Sequence, residues 1–505
     1  MSAQGAVAMP VVREIPFDVR HLVRALLLPG LAFGFFLAWA LLLERVGVAD
    51  NLVLTVVHAG SALALWTCWR LGRWGRARFD SFGAALLLMG FAFRLLAMVD
   101  ALVYGTRLEE LYRYRALPMP EPVMDIVLKG EMITLLGMLL VACTWRQVIG
   151  RQVESFSALG SARQVPPRLP MLVYAAALIA QVADRVMDVG FGPFQQILSL
   201  LSTFGVAAIY FIAVRKGSAM RQVVTAGVLA LPLFALVVNS GMKETMLFPF
   251  IPAAILYWVR FNHVGARAAA IVLGIAVLAT SQLYVHHVRA QTWRSTGDLD
   301  MSTGELVRSF GSGLGESSAA DGLDAISSRV NQTQAHTTTV TLADNRRHEP
   351  MAIFGAIPAS VIPRVLWPGK PILQPGAQHT ARILGGDIPI SQIRSATAAG
   401  FFTELYLGGW WFGMVLGSIG YGGLLAATQK WALRYDPGFG HQAYCFLVLY
   451  TTIRFDENHV VYAYTSLLFS AVFLWMLGQA ARFMGLGTAP LAPGRPRHSS
   501  VSHGG

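Results

Sequence analysis

Apolar runs of roughly 17–25 residues, the length that crosses a bilayer, recur from one end of this chain to the other. In hydrocarbon a backbone must satisfy its own hydrogen bonds, which leaves only helices or a closed β-barrel. Alternation of apolar and polar residues at period two is absent, so a barrel is not expected. Charged residues make up 13% of the 505 positions, about half the share usual in soluble domains. The sequence predicts an all-α, polytopic integral membrane protein of about 12 transmembrane helices. Spans are expected at Leu22–Leu43, Leu52–Trp69, Phe82–Tyr104, Met132–Thr144, Leu169–Val186, Ile197–Val214, Val223–Val238, Thr245–Val259, Ala268–Tyr284, Phe401–Ala427, Ala443–Ile453 and Val460–Ala480.

The formal net charge of +12 has to be located before it is interpreted. The surplus of Lys and Arg falls in the N-terminus, every second loop and the C-terminus, which is the positive-inside pattern with both ends cytoplasmic. The charge therefore orients the chain in a membrane, and a nucleic-acid partner is not expected. Cys68, Cys143 and Cys445 fall inside expected spans with no metal or redox spacing, so they read as small core residues. The N-terminus (1–21) is too polar for a cleavable signal. Residues 485–505 are Pro/Gly/Ser-rich and basic and read as a disordered cytoplasmic tail.

Helices 1–9 would occupy residues 22–284 and helices 10–12 residues 401–484, leaving one long connection, 285–400, on the non-cytoplasmic side. A connection of that length is usually functional. Short helices are expected near Thr303–Phe310 and Ala319–Thr333, and "MAIFGAIPASVI" is apolar but too short to cross, as in an interfacial or re-entrant segment. Next comes "SVIPRVLWPGKPIL", residues 360–373. Pro368-Gly369 suits the centre of a type II turn, and Pro363 and Pro371 keep their predecessors out of helix. Trp367 would then sit at headgroup level, with Arg364 and Lys370 projecting beside it. Fixed cations at that depth suit the diphosphate of a lipid carrier. Simple anchoring to lipid headgroups is the competing reading.

"IPRVLWPGKP", followed by "GFFTELYLGGWWFG" and preceded upstream by "VVNSGMKETMLFPFIPAAILYW", resembles the Wzy-type oligosaccharide repeat-unit polymerases of O-antigen and exopolysaccharide synthesis. The likeness covers roughly residues 236–415, with Leu-Gly-Gly at 407–409 where members often carry Asn-Phe-Gly. It implies an inner-membrane glycosyltransferase whose long loop is periplasmic and whose substrates are undecaprenyl-diphosphate-linked oligosaccharides. A chain-length regulator and a flippase are the implied partners. No cofactor is implied, and metal dependence stays open.

Within that frame Glu404 is the candidate general base, since a carboxylate near the end of a span needs protein or water around it. An N-terminal helix charge is its plainer reading. Arg364, Lys370 and Arg394 are assigned to the diphosphate, with Lys243, Arg185 and Arg289 as helpers. Trp367, His286, Arg454, Asp456, His459 and Tyr406 are candidate cavity-lining residues. Asp184 and Asp188 share a helix face, which fits a polar helix end better than a metal pair. His286 and His287 lack a third ligand at zinc spacing. Arg94, Asp100 and Glu131 fall inside the bilayer and should pair between neighbouring helices. Three other activities remain compatible with the pattern: a lipid-linked glycan ligase, a transporter or flippase for such lipids, and a non-catalytic scaffold. A transporter would show charged or discontinuous helices through the midplane.

Overall fold

The computed structural model describes residues 19–71, 82–104, 123–149, 167–187, 195–237, 246–261, 263–294, 305, 308–311, 333–345, 350–362, 367, 369, 374–383, 399–435, 439–440, 443–444, 446–448 and 459–483. Among these the regular structure is helical throughout, with no strand. The helices are α1 (Val19–Arg45), α2 (Asp50–Leu71), α3 (Phe82–Tyr104), α4 (Val123–Ile149), α5 (Arg168–Met187), α6 (Gln195–Ala213), α7 (Ala219–Val237) and α8 (Ile251–Arg260). They continue as α9 (Val264–Arg294), α10 (Thr333–Asn345), α11 (Pro350–Ile353), α12 (Ala356–Val361), α13 (Pro375–Ile383), α14 (Phe401–Tyr435) and α15 (Val460–Phe483).

Six stretches are long and apolar enough to cross a membrane by length and composition: Leu26–Arg45, Asp50–Arg70, Met124–Ile149, Ala219–Leu236, Phe401–Ala432 and Val460–Ala480. Their outer faces carry Leu27, Leu31, Phe35, Val224, Val228 and Val472 without cover from protein, which is the surface a lipid surround accepts. Pro29 and Pro232 sit inside α1 and α7, as is common in spanning helices. Hydropathy located most of these helices well, and Phe82–Tyr104 falls where the sequence placed it. The Thr303–Phe310 expectation is met in part by helix at 308–311, while 319–332 lies outside the described residues.

The helices form two leaves around a central pair. On one side α1, α2 and α3 pack in succession and close on α4; on the other α5, α6, α7 and α8 pack in succession, and α6 reaches α15. The centre is α4 against α14, joined by a Trp145 Nε1–H donated to Gln429 at 2.9 Å. The described helices between α9 and α14 pack into the bundle. Among them α10 lies between α4 and α14, with α11 on α14, α12 on α15 and α13 on α10. Cys68 and Cys143 are buried free thiols in the core, as expected.

One span differs from its expected form. α14 is not a single rod: Gly409 and Trp410 leave helical geometry (φ −174°, ψ 33° and φ 51°, ψ −147°) and the chain reverses there. Phe401 and Tyr421, twenty positions apart, have ring centroids 4.9 Å apart, where a straight helix would separate them by about 30 Å. The side chain of Leu405 fills the space beside Gly417, and its carbonyl lies against Gly413. The arm 401–408 is therefore folded back along the arm 411–435, using the shallow groove of Gly413-x-x-x-Gly417, the small-residue spacing that lets helices approach closely. The second arm alone, at about 37 Å, still has the length of a span.

Candidate functional site

The fold-back decides where Glu404 goes. The 401–408 arm runs antiparallel to α4: Phe402 is seated against Gly137, at the middle of α4, while Tyr406 reaches the level of Lys129 near its start. Glu404 is consequently buried inside the bundle and is not at a rim. Its carboxylate meets the beginning of α15. Oε2 accepts the Val460 backbone N–H at 2.5 Å, and Oε1 lies 3.2 Å from His459 Nδ1. An unpaired helix N–H and a positive helix end both favour an anion there. The carboxylate thus caps the start of α15, where its plainer reading placed it at the start of its own helix. Since an ionised carboxylate only accepts, His459 Nδ1 carries the proton and Nε2 is its basic nitrogen. His459 is buried as well.

Loop helices α10 and α13 close this site. The ring of His379 on α13 stands edge-on to that of His459, centroids 6.4 Å apart. His379 Nε2 is 3.2 Å from Thr339 Oγ1 on α10, and Thr339 in turn bonds the Ala399 carbonyl at 3.0 Å. Burial drives His379 down to about 3, helped by the neighbouring His459, so it is neutral at any physiological pH. The chain enters the arm through Gly400, whose φ of +77° suits glycine. A side chain at that position would also strike the His336 ring of α10.

α10 itself, "TQAHTTTVTLADN", is polar in sequence yet deeply buried. It tolerates burial because Thr337, Thr339 and Thr341 hydrogen-bond the carbonyls four residues back, which gives each hydroxyl an acceptor within its own helix. At its far end Asp344 receives Lys129 Nζ at 2.7 and 2.9 Å and the Tyr406 hydroxyl at 3.0 Å. Lys129 also lies over the Tyr406 ring, 5.1 Å from its centroid. Lys129 and Asp344 are each 29% exposed.

Of the expected site residues, Glu404 and His459 come together. Tyr406 does not join them: two residues along a helix turn it about 200° away, onto the Lys129–Asp344 side. Trp367 is 40% exposed, as a residue at a membrane or solvent face would be. Arg185 lies on α5, and His286 and Arg289 on α9, with their side chains outside the described residues. Arg364, Lys370, Arg394, Lys243, Arg454 and Asp456 also lie outside the described residues, as does Asp188 of the α5 acidic pair. His379, His336, Thr339, Lys129 and Asp344 were not singled out from sequence. The signal available was the Thr333/Thr337/Thr341 repeat at helical spacing with histidine beside it.

A second buried polar group sits within the spans. Arg94 Nε of α3 is 3.0 Å from Glu131 Oε2 of α4, and His58 Nδ1 of α2 is 3.8 Å from the same oxygen. This is the pairing between neighbouring helices expected for Arg94 and Glu131. Among the described residues no cluster of three or more His, Cys, Asp or Glu is arranged to hold a metal ion.

No curated protein and no solved structure matches this chain. A family described as "Domain of unknown function (DUF8712)" matches over residues 163–481, a stretch that holds α10, α13, α14 and α15 and with them Glu404, His459 and His379. That match extends over more than half of the sequence, and the chain belongs to this family.

Proposed function

We propose that this protein is a multi-pass inner-membrane glycosyltransferase that polymerises undecaprenyl-diphosphate-linked oligosaccharide repeats at the periplasmic face. The observation that carries this reading is the Glu404–His459 pair, buried under loop helices, with Glu404 belonging to the polymerase-like stretch "GFFTELYLGGWWFG" in sequence. In the proposed reaction His459 Nε2 takes the proton of an acceptor hydroxyl, and Glu404 holds the ring and stabilises the imidazolium. The acceptor oxygen attacks the anomeric carbon of the donor chain. The bond from that carbon to the diphosphate oxygen breaks, and its electron pair leaves with the lipid diphosphate. Arg364, Lys370 and Arg394 are the cations assigned to that leaving charge, with Lys243, Arg185 or Arg289 in support. The base assigned from sequence, Glu404, thus acts through His459.

A transporter of such lipids is the second reading. It is favoured by the Arg94–Glu131–His58 group inside the spans and by the break in α14. The two are separated by the surface polysaccharide of a deletion strain carrying wild type, Glu404→Gln or Arg364→Ala. Single repeat units displayed outside in place of a ladder support polymerisation. Long polymer stranded on its carrier marks a ligase, and loss of all outward-facing glycan marks a flippase.

A further inference from the structure

The Thr339 hydroxyl has one hydrogen, and two backbone carbonyls compete for it: Ala335 at 2.8 Å and Ala399 at 3.0 Å. Toward His379 Thr339 can therefore only accept, so the proton of His379 is on Nε2. The other ring nitrogen, Nδ1, is then a bare lone pair. It is fully buried and has no hydrogen-bond partner among the described residues. A buried acceptor left unsatisfied is costly, and such exceptions in native proteins call for a ligand or a functional reason. The ring stands beside His459, where the proposed reaction brings a sugar hydroxyl.

Resting on the glycosyltransferase reading, we infer that His379 Nδ1 accepts a hydrogen bond from a second hydroxyl of the acceptor sugar, next to the one deprotonated by His459. Thr339 fixes the tautomer that makes this possible, and α10 fixes Thr339. A neutral acceptor suits this role, because it takes a hydroxyl proton in a hydrogen bond but does not compete with His459 to remove it. The low pH at which His379 protonates keeps it in that state. The ligand class is a neutral polyol, the non-reducing sugar of the incoming repeat.

The test uses the purified full-length protein and lipid-linked repeat extracted from a strain lacking it. Glutamine at 379 keeps an N–H for Thr339 and loses the Nδ1 acceptor; the shorter asparagine sets its amide oxygen near the Nδ1 position. His379→Gln is expected to raise KM about 3- to 10-fold, the value of one neutral hydrogen bond, with kcat and melting temperature near wild type. His379→Asn should recover much of that loss. A wild-type KM in the glutamine variant would overturn the inference, as would equal losses in both variants accompanied by a lower melting temperature. His459→Gln in the same assay separates the two levels. If it is inactive while His379→Gln is normal, only the role of His379 fails; if it is fully active, the enzymatic reading fails with it.

Discussion

Two buried carboxylates in this protein have nearly the same exposure and different company. Glu131 faces a guanidinium, Arg94, with His58 standing off at 3.8 Å. Glu404 faces an imidazole and a backbone N–H, with a second imidazole behind and no guanidinium among the described contacts of its carboxylate. Arginine stays charged at every relevant pH, so the first arrangement is a fixed ion pair that ties α3 to α4. An imidazole can donate through one ring nitrogen and accept through the other, so the second can pass a proton on. They also differ in cover: the Glu404 group lies against α10 and α13 of the long connection, whereas the Glu131 group lies among α2, α3 and α4, with His336 of α10 nearby. Only the Glu404 group falls inside the stretch that defines the family.

The comparison can be broken most visibly by removing the proton-transfer pair. His459→Ala and Glu404→Ala are each expected to lower polymer formation by about 100-fold or more, the usual value of a positioned base, while the protein still reaches the membrane. Polymer output is the readout. The Arg94–Glu131 pair should behave in the opposite way. Glu131→Ala removes the carboxylate that faces a buried guanidinium and should cost about 3–5 kcal/mol of stability, seen as a lower melting temperature and less protein. The double change Arg94→Met with Glu131→Leu should restore most of it and leave polymer length unaltered. A stable double variant that has lost function would instead give this cluster a working role and favour the transporter reading.

The fold-back gives a smaller but sharper test. Gly417→Leu occupies the space that holds Leu405 and should cost about 1–3 kcal/mol by overpacking, with Leu405→Ala in the same chain giving partial rescue. Acidification probes His379. Its folded value lies below the ordinary one of about 6.5, so the unfolded chain takes up the proton first. The stability that comes from keeping it neutral is complete above about pH 6.5 and is lost as pH falls toward about 3. His379→Gln should flatten that limb of a melting-temperature profile. Smallest of all, Lys129→Gln should shift stability by about 0–1 kcal/mol, since water reaches the pair it forms with Asp344.

Hydropathy made the spanning helices legible because a bilayer leaves few alternatives for a long apolar run. That Arg94 and Glu131 would pair between neighbouring helices was legible for the same reason, since a charge inside a span needs a partner. What hydropathy hid was the reversal in α14, since residues 401–427 read as one apolar run and only Gly408-Gly409 and the spacing of Gly413 and Gly417 mark the turn. It also hid α10, which looks like exposed loop in composition. Its threonines carry their own hydrogen-bond acceptors, so a segment that reads as polar can pack as core. Glu404 was found because a carboxylate stands out in an apolar run. Its meeting with His459 and His379 depends on contacts 55 and 25 residues apart, which no local pattern encodes.

The most direct test is chain extension by the purified protein given lipid-linked repeat and no nucleotide sugar, comparing wild type with His459→Ala. Products two or more repeats long from wild type alone are the expected result. Equal extension by His459→Ala, or no extension by a wild-type protein that moves the lipid across vesicle membranes, would contradict it.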